Sequence, residues 1–469
     1  MSERLSPADA AFLDAEDLKT PMHVGAIMIL EPPKDGFDYE SMVALIEQRV
    51  SLVPRYRQKV VTVPGGLSAP RWVDDDRFDV TFHVRRSALP QPGDRRALNE
   101  LAGRLMSRRL DRDRPLWEIY LVEGLEGGRI AMITKSHCAL VDSTVGMEIG
   151  EVLLDRSRKP RPPVPEDDWS PRTAPSGLRL LVDVAREAIV SPLTVVENTR
   201  TVLANLRHVG SRAVEAALAL SRTVRWVLDP ADGSPLNVAV GAQRRIAVTD
   251  LPLEAFRQIK NASGCAVNDV VLAVVAGALR AWLAARGAAV RRDSTLRVLV
   301  PMSVHAFDGD SDFGSGDRVT SLTVDLPIGE DAVALRLRQI SYAMSAEGAG
   351  RRGVPAEALA SLGWFAPSTL HSLGARVSRD LTDRATNLVV TNAPGPQQPV
   401  YAAGARLVEV YPVLPLSHKQ ALAIGVTSYD GRVYFGLNAD RDSMVDLEVL
   451  ASMIDDALTE LLVAVTKGN

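Results

Sequence analysis

The sequence predicts an α/β protein built from two layered domains. In both halves of the chain, short apolar segments typical of buried strands alternate with amphipathic helical segments, which is the pattern of α/β folds. The chain has 469 residues, a length that is long for one domain and natural for two. Between the alternating regions lies a stretch rich in proline and charge, residues 160–175, whose composition is typical of a linker.

These features divide the chain into three parts. We expect an N-terminal domain over residues 1–165, a linker and helical connector over residues 166–240, and a C-terminal domain over residues 241–469. In the first part, the apolar patterns predict strands at residues 23–30, 117–122 and 129–134, and helices at residues 39–52 and 97–110.

The C-terminal part shows the same alternation. Its patterns predict strands at residues 246–248, 296–301, 322–327, 387–392 and 432–437, and helices at residues 253–259, 268–286 and 447–465. The longest apolar run, residues 270–279, is about half the length of a membrane-spanning helix and lies between Asp269 and Arg280. It therefore predicts a buried helix rather than a membrane span.

Composition and charge exclude several function classes. The net charge is −4 with acids and bases spread along the chain, which argues against nucleic acid as a main partner. Two cysteines, Cys138 and Cys265, are too few for a disulfide framework, and their spacing is not that of a zinc site. The polar start of the chain, without the apolar core of a signal peptide, predicts a cytoplasmic protein with at most peripheral membrane contact.

The most informative segment is residues 135–143, KSHCALVDS, which follows the apolar strand at residues 129–134. It places a histidine, a thiol and a carboxylate near a strand end, where α/β folds commonly build their sites. The segment resembles the His-His-x-x-x-Asp-Gly motif of CoA-dependent acyltransferases. His137 fills the first histidine position and Asp142 the aspartate position, whereas Cys138 stands at the position of the general base and Ser143 replaces the glycine.

In that motif the second histidine takes a proton from an alcohol or amine as it attacks a thioester. With a thiol at this position, three interpretations stay open. The enzyme is weak or inactive because a thiol, whose pKa is ordinarily about 8.5, is a poor base. Alternatively, His137 or a water molecule serves as the base. In the third interpretation, Cys138 is a nucleophile activated by His137.

Further motifs extend the resemblance over nearly the whole chain, to the bacterial wax ester synthase/diacylglycerol acyltransferase family and its mycobacterial-type triacylglycerol synthases. In order along the sequence, the similar segments are residues 5–13 (LSPADAAFL), 21–25 (PMHVG), 115–117 (PLW), 268–269 (ND), 300–304 (VPMSV), 391–396 (TNAPGP), 428–431 (SYDG) and 440–442 (DRD). Each segment is weak evidence alone, but their order and spacing are highly specific.

The resemblance implies a fold, a reaction and a set of site residues. The fold would be two chloramphenicol-acetyltransferase-like domains, joined by a helical connector, with a tunnel between them. The reaction would transfer an acyl group from long-chain acyl-CoA, a co-substrate with no resident cofactor or metal, to diacylglycerol or a long-chain alcohol. The product would be triacylglycerol or a wax ester, and the protein would work at a membrane or lipid-droplet surface.

The catalytic residues implied are His137, Cys138 and Asp142, and the substrate-binding residues implied are Pro115, Leu116, Trp117, Asn268 and Asp269. For the Pro-Leu-Trp segment, packing at a strand entry is the favoured interpretation, and Asn268 is a candidate helix N-cap. The arginine-rich residues 104–114 predict a solvated helix end rather than a CoA phosphate site. Two other functions stay open: a non-catalytic lipid-binding paralogue, and an acyltransferase for another lipid or polyketide alcohol.

Overall fold

Two six-stranded sheets, each packed against helices, organise the molecule. The computed structural model describes residues 3–34, 36–62, 69–141, 153–159, 169–172, 231, 233–303, 319–349 and 386–466. The helices in these residues are α1 (Pro7–Ala15), α2 (Tyr39–Val50), α3 (Val80–His83), α4 (Arg95–Ser107), α5 (Cys138–Val141), α6 (Leu253–Ser263), α7 (Val267–Ala285), α8 (Val333–Ala349) and α9 (Leu447–Thr466).

The strands are β1 (Glu3–Arg4), β2 (His23–Glu31), β3 (Gln58–Val61), β4 (Arg71–Asp74), β5 (Val84–Ala88), β6 (Trp117–Glu123), β7 (Ile130–His137), β8 (Arg244–Pro252), β9 (Leu296–Ser303), β10 (Val319–Leu326), β11 (Leu388–Pro394), β12 (Tyr401–Ala402), β13 (Ala405–Val413), β14 (Leu422–Tyr429) and β15 (Arg432–Asp440). The first large sheet has the order β12-β13-β2-β7-β6-β5, and the second has the order β10-β9-β11-β14-β15-β8. A third, small sheet has the order β1-β4-β3.

The two-domain α/β expectation is confirmed, and the predicted strands and helices in the described residues are present with shifted ends. One shift matters for function, because β7 continues to His137. Residues 135–137 therefore lie within the strand and not beyond its end. The connector at residues 166–240 and the linker at residues 160–175 fall mostly outside the described residues.

Two large hydrophobic cores lie beside the two sheets, and α7 is the centre of the second. This helix is apolar on nearly every side, and 13 of its 19 residues are buried. It is the one helix in the described part of the chain that is long and apolar enough to cross a membrane. Its burial against α9, α8 and α6 identifies it as the core helix of the C-terminal domain.

A segment from the C-terminal half completes the N-terminal sheet. Strand β13 pairs antiparallel with β2, from Arg406 opposite Glu31 to Val413 opposite Gly25. The expected domain range 241–469 therefore includes one strand pair, β12 and β13, that belongs to the other sheet. The reason is hydrogen bonding: without β13, the edge of the buried strand β2 would carry unpaired backbone groups.

A second contact between the domains is made by α4, which packs on β8. At Gly103 the two backbones come so close that a Cβ atom would lie 2.7 Å from the carbonyl oxygen of Arg244. At the C-terminal end of α4, Ser107 Oγ accepts a hydrogen bond of 2.9 Å from the backbone N–H of Arg244. The glycine thus permits an approach that any side chain would prevent.

Gly103→Ala is expected to destabilise the folded protein by about 1–3 kcal/mol, because α4 must move away from β8 to make room for the methyl group. Chemical denaturation measures the loss. Gly233→Ala is the matched control, since a Cβ atom there meets no atom within 4 Å. Equal stability of the two variants would show that the α4–β8 contact is not tightly packed.

Candidate active site

The histidine motif lies where β7 ends against the start of β2. His23 and His137 are opposite each other in the antiparallel pair, with ring centroids 6.1 Å apart. The backbone N–H of His137 donates to the carbonyl oxygen of Leu116, and that of Cys138 donates to the carbonyl oxygen of Met22, both at 2.9 Å. Backbone hydrogen bonds to two neighbouring segments therefore fix the motif at the strand end.

The His137 ring is held in one tautomer. Its Nδ1 accepts a hydrogen bond of 3.0 Å from the backbone N–H of Ala139, in the first turn of α5. A neutral imidazole that accepts at Nδ1 carries its proton on Nε2. Because Nδ1 accepts from Ala139 and Nε2 carries the hydrogen, in this arrangement His137 has no free lone pair with which to take a proton from a substrate.

The Nε2 atom of His137 faces the buried carboxylate of Glu16. Oε1 of this carboxylate lies 3.9 Å from Nε2 of His137 and 3.3 Å from Nε2 of His23. Its Oε2 accepts hydrogen bonds from Arg112 at 2.7 Å and from Arg109 at 2.9 Å. The side chain of Glu16 is 1% exposed, so one carboxylate deep in the protein is shared by two imidazoles and two guanidinium groups.

Burial and charge set the protonation of this cluster. Burial lowers the pKa of His137 to about 3 and that of His23 to about 4, although Glu16 opposes both shifts. For Glu16, burial acts to raise the pKa, but contacts with the two histidines and with Arg112 and Arg109 hold it far below its ordinary value. At neutral pH the cluster is therefore a carboxylate between two arginines, facing two neutral imidazoles.

The arginine-rich stretch after α4 thus has a role that the sequence did not indicate. It was expected to be a solvated helix end, yet Arg109 and Arg112 bind Glu16, and Arg112 also donates to the carbonyl oxygen of Leu13 at 2.9 Å. Sequence reasoning missed Glu16 as well. The feature that could have identified it is its position shortly before the segment of residues 21–25, which carries His23.

A second buried polar group lies two residues before His137 in β7. Lys135 is fully buried, and its Nζ donates to the carbonyl oxygen of Arg108 and lies 3.7 Å from Oε2 of Glu118. Burial lowers the pKa of Lys135 to about 8. The same Oε2 accepts a 2.7 Å hydrogen bond from Tyr120. Lys135 therefore connects β7 to Glu118 on β6 and to the segment after α4.

Cys138 begins α5 and is 9% exposed. Its backbone N–H is held by the carbonyl oxygen of Met22, and the neighbouring residues His137 and Ala139 are also hydrogen-bonded, so the backbone at this position is fixed. Neither Cys138 nor Cys265 forms a disulfide bond. Asp142, the third catalytic residue implied by the motif, lies outside the described residues.

The Pro-Leu-Trp segment packs in the core. Leu116 and Trp117 are fully buried, Pro115 is buried as well, and the Trp117 ring stacks on His83 at 4.5 Å between centroids. The indole N–H donates to the carbonyl oxygen of Tyr56 at 2.7 Å. This burial supports the packing interpretation, and the segment contributes to the site through the Leu116 carbonyl that holds His137.

The Asn-Asp pair lies at the start of α7 in the other domain. The N-cap position is Ala266, and Asp269 accepts a 3.0 Å hydrogen bond from its backbone N–H. Asp269, and not Asn268 as expected, therefore completes the helix start. Asn268 instead accepts a 3.1 Å hydrogen bond from Asn392 on β11, so two of the family-like segments meet here.

Comparison with known proteins identifies the family of this chain. The family model for the wax ester synthase/diacylglycerol acyltransferase catalytic domain matches residues 5–271, and the model for the C-terminal domain of the same family matches residues 315–462. The chain belongs to the wax ester synthase/diacylglycerol acyltransferase family. The matched ranges contain the whole histidine motif and both members of the Asn268–Asn392 contact.

Individual relatives support the assignment to this family. The probable diacylglycerol O-acyltransferase tgs3 of Mycobacterium tuberculosis is 44% identical over 56% of this chain and 98% of its own length. The probable diacylglycerol O-acyltransferase tgs2 of the same organism is 35% identical over 98% of this chain and 99% of its own. The wax ester synthase/diacylglycerol acyltransferase of Marinobacter aquaeolei VT8 is 26% identical with a TM-score of 0.68, covering 99% of this chain and all of that one.

The family's fold extends to more distant proteins. The first condensation domain of the calcium-dependent antibiotic synthetase is 15% identical with a TM-score of 0.58, over 99% of this chain and 96% of its own. At this identity the likeness shows the fold alone. The shared fold is the two-domain α/β architecture that we expected from the sequence.

The neutral histidines predict a pH dependence of stability. Between pH 4 and 6.5 the unfolded chain protonates His23 and His137, while the folded chain does not, because their folded pKa values are lowered. The unfolded state then binds more protons, so stability rises with pH across this window, by up to about 1.4 kcal/mol per pH unit for each histidine. His23→Asn should remove one such contribution from the slope.

Urea denaturation at half-unit steps from pH 4.5 to 6.5 measures that slope. His418→Asn, at a ring that is 24% exposed beside Asp17, is the matched control. Parallel slopes for the wild type and His23→Asn would contradict a neutral, buried His23.

Glu16→Gln is expected to cost about 3 kcal/mol or more of folding free energy, because two arginines lose the buried charge that they share. Glu123→Gln, which removes a carboxylate paired with Arg86 at the surface, should cost less than about 1 kcal/mol. Chemical denaturation of both variants compares the losses. Similar small losses would show that the Glu16 cluster is not a stabilising ion group.

Proposed function

We propose that this chain is an acyl-CoA-dependent O-acyltransferase that makes triacylglycerol from diacylglycerol, with low turnover because Cys138 stands where the general base belongs. The observation that carries the low turnover is the arrangement of His137. Its Nδ1 accepts from Ala139 and its Nε2–H faces Glu16, so the histidine that the motif retains is not free to replace the missing base.

The substrate assignment rests on the relatives. Two mycobacterial proteins named as probable diacylglycerol O-acyltransferases are 44% and 35% identical to this chain. A thioester donor is already activated, so the reaction needs no resident cofactor, and each buried methylene of the acyl chain would add roughly 0.8 kcal/mol to binding. Long-chain alcohols, which yield wax esters, are the second acceptor class to test.

Loss of the base is compatible with residual activity. A general base typically supplies about 10²–10⁴-fold in rate, whereas positioning of the two substrates supplies its own part of the acceleration. A water molecule acting as base, or the Cys138 thiol itself, would then complete the reaction slowly. We also propose that the enzyme works in the cytoplasm at a membrane or lipid-droplet surface, where its lipid substrate is found.

A non-catalytic lipid-binding paralogue is the second candidate, and Cys138 is the residue that favours it. Such a protein would keep the fold and the lipid site without turnover. Binding of diacylglycerol or acyl-CoA without product, in the wild type and in Cys138→His alike, would identify it.

Acyl transfer by the purified protein tests these alternatives. Radiolabelled palmitoyl-CoA and diacylglycerol are the substrates, and the proteins are wild type, Cys138→His, Cys138→Ala and His137→Ala. We expect wild type near background and a gain of about 10²-fold or more in Cys138→His, because an imidazole restores the base.

The other outcomes each select a different mechanism. Wild-type activity that Cys138→Ala abolishes would make the thiol a participant and overturn base loss. Activity that survives Cys138→Ala but not His137→Ala would move the base to His137, against the hydrogen bonding described above. A parallel set of assays with hexadecanol as acceptor separates wax ester synthesis from triacylglycerol synthesis.

A further inference from the structure

A cationic cavity lies between the two domains, apart from the histidine motif. Its volume is about 680 Å³, a size typical of ligand sites. Helix α4 lines one side, α9 lines the other, and residues 244–249 of β8 form the floor. Five arginines line it against two glutamates: Arg95, Arg96, Arg244, Arg245 and Arg441 against Glu100 and Glu448.

The charge of this cavity is only partly neutralised. Arg244 is 3% exposed, and its guanidinium group donates to the carbonyl oxygens of Gly241, Gln243 and Lys19 but forms no ion pair within the described ranges. Arg441 likewise has no carboxylate partner among those residues, and its side chain is exposed. The carboxylates of Asp440 and Asp17 act on Arg244 without pairing with it, whereas the exposed charge of Arg441 remains open to an anion.

Two further arginines lie at a helix end where a positive charge is unfavourable. Arg95 and Arg96 begin α4, where the helix dipole disfavours cations. Arg96 pairs with the exposed Glu100 one turn further along the helix, and Arg95 pairs with Glu409, which is mostly buried. Arg245 pairs with Glu448 at 3.2 Å, and Glu448 is 55% exposed. Glu100 and Glu448 are both more than half exposed, so an anion that binds arginine more strongly can displace them.

Strand β8, which forms the floor of the cavity, also offers backbone N–H groups as donors. Strand β8 is the last strand of its sheet, and Arg244 is opposite Asp440 on β15. The N–H of Arg244 donates to Ser107 and that of Asp440 donates to Ala421, so the two residues form a pair without mutual hydrogen bonds. Because such pairs recur at every second residue, the N–H groups of Ile246 and Val248 also point to the open edge.

We propose that this cavity binds a phosphate group, held by the guanidinium groups of Arg245 and Arg441 and by backbone N–H groups of β8. Guanidinium groups bind phosphate oxygens through paired hydrogen bonds, and outward backbone N–H groups add further donors. The phosphate could come from the nucleotide end of CoA or from the head group of an anionic phospholipid. The choice of these two sources rests on the proposed acyl transfer, whereas the phosphate chemistry does not.

The cavity is connected to the histidine motif, as a binding site for part of the same substrate would be. Ser107, at the C-terminal end of α4, accepts a hydrogen bond from the backbone N–H of Arg244. The carbonyl oxygen of the next residue, Arg108, accepts a hydrogen bond from Lys135, which lies two residues before His137. The carbonyl of Lys19, which Arg244 holds, follows Glu16 by three residues. The cavity and the histidine motif are thus joined through two short segments.

Calorimetric titration with adenosine 3′,5′-bisphosphate, which carries the phosphomonoester of CoA, tests the proposal. We expect the wild type to bind, and the double variant Arg245→Ala/Arg441→Ala to bind at least tenfold more weakly for each lost guanidinium contact. Glu448→Gln should bind more tightly, because it releases Arg245; a folding defect would not produce this gain. Arg86→Ala is the matched control and should leave binding unchanged, because this surface arginine is on β5, a strand that does not line the cavity.

Vesicle sedimentation distinguishes the lipid source. Binding to phosphatidylglycerol vesicles but not to phosphatidylcholine vesicles, lost in the double variant, supports a phospholipid head group. Binding of the bisphosphate, lost in the same variant, supports CoA. If neither probe binds, or if the double variant binds both as the wild type does, the proposal is overturned.

A kinetic comparison connects the cavity to turnover, with Cys138→His as the parent if wild type is too slow. The double variant should raise KM for palmitoyl-CoA but not for palmitoyl-N-acetylcysteamine, which lacks phosphate. Equal changes with both donors would count against a CoA site. Phosphate binding with no acyl transfer in either wild type or Cys138→His would refute the proposed function and leave the phosphate site standing. Acyl transfer without phosphate binding would refute the phosphate site and leave the proposed function standing.

Discussion

The candidate site depends on one buried carboxylate. Glu16 lies between two imidazoles and two guanidinium groups, and these four partners come from three parts of the N-terminal domain: β2, β7 and the segment after α4. An unpaired charge at this depth would be very costly, so the two arginines must stay beside it. Their positions in turn fix the segment after α4, which holds Lys135 and packs near β8. A single electrostatic requirement therefore connects the histidine motif, the buried lysine and the contact between domains.

The strand end is shaped mainly by backbone groups. The N–H groups of His137 and Cys138 donate to the carbonyl oxygens of Leu116 and Met22, and the N–H of Ala139 donates to Nδ1 of His137. Every residue except proline can donate such backbone hydrogen bonds, so they fix the position of residue 138 in the fold whichever side chain it carries.

The sequence predicts the strands and helices well where hydrophobic periodicity is strong. Strand β6, helix α2 and helix α9 have nearly the expected ends. Long-range features escape it: the pairing of β13 with β2 joins residues almost 400 positions apart, and no local pattern encodes such pairing. The site shows the same division, since the motif reveals His137 and Cys138, whereas Glu16 and Arg112 become partners only when α1 and the segment after α4 meet in space.

The exchange of β13 into the first sheet has a consequence for synthesis on the ribosome. Strand β2 is complete at Glu31, but its partner strand begins at Ala405, about 370 residues later. At roughly 5–20 residues per second, the edge of β2 stays unpaired for on the order of 20–75 seconds before that partner is made. During this interval a nascent chain exposes an apolar strand edge that can pair with other chains. The edge of β2 is therefore the part of the N-terminal sheet that stays unpaired longest as the chain is made.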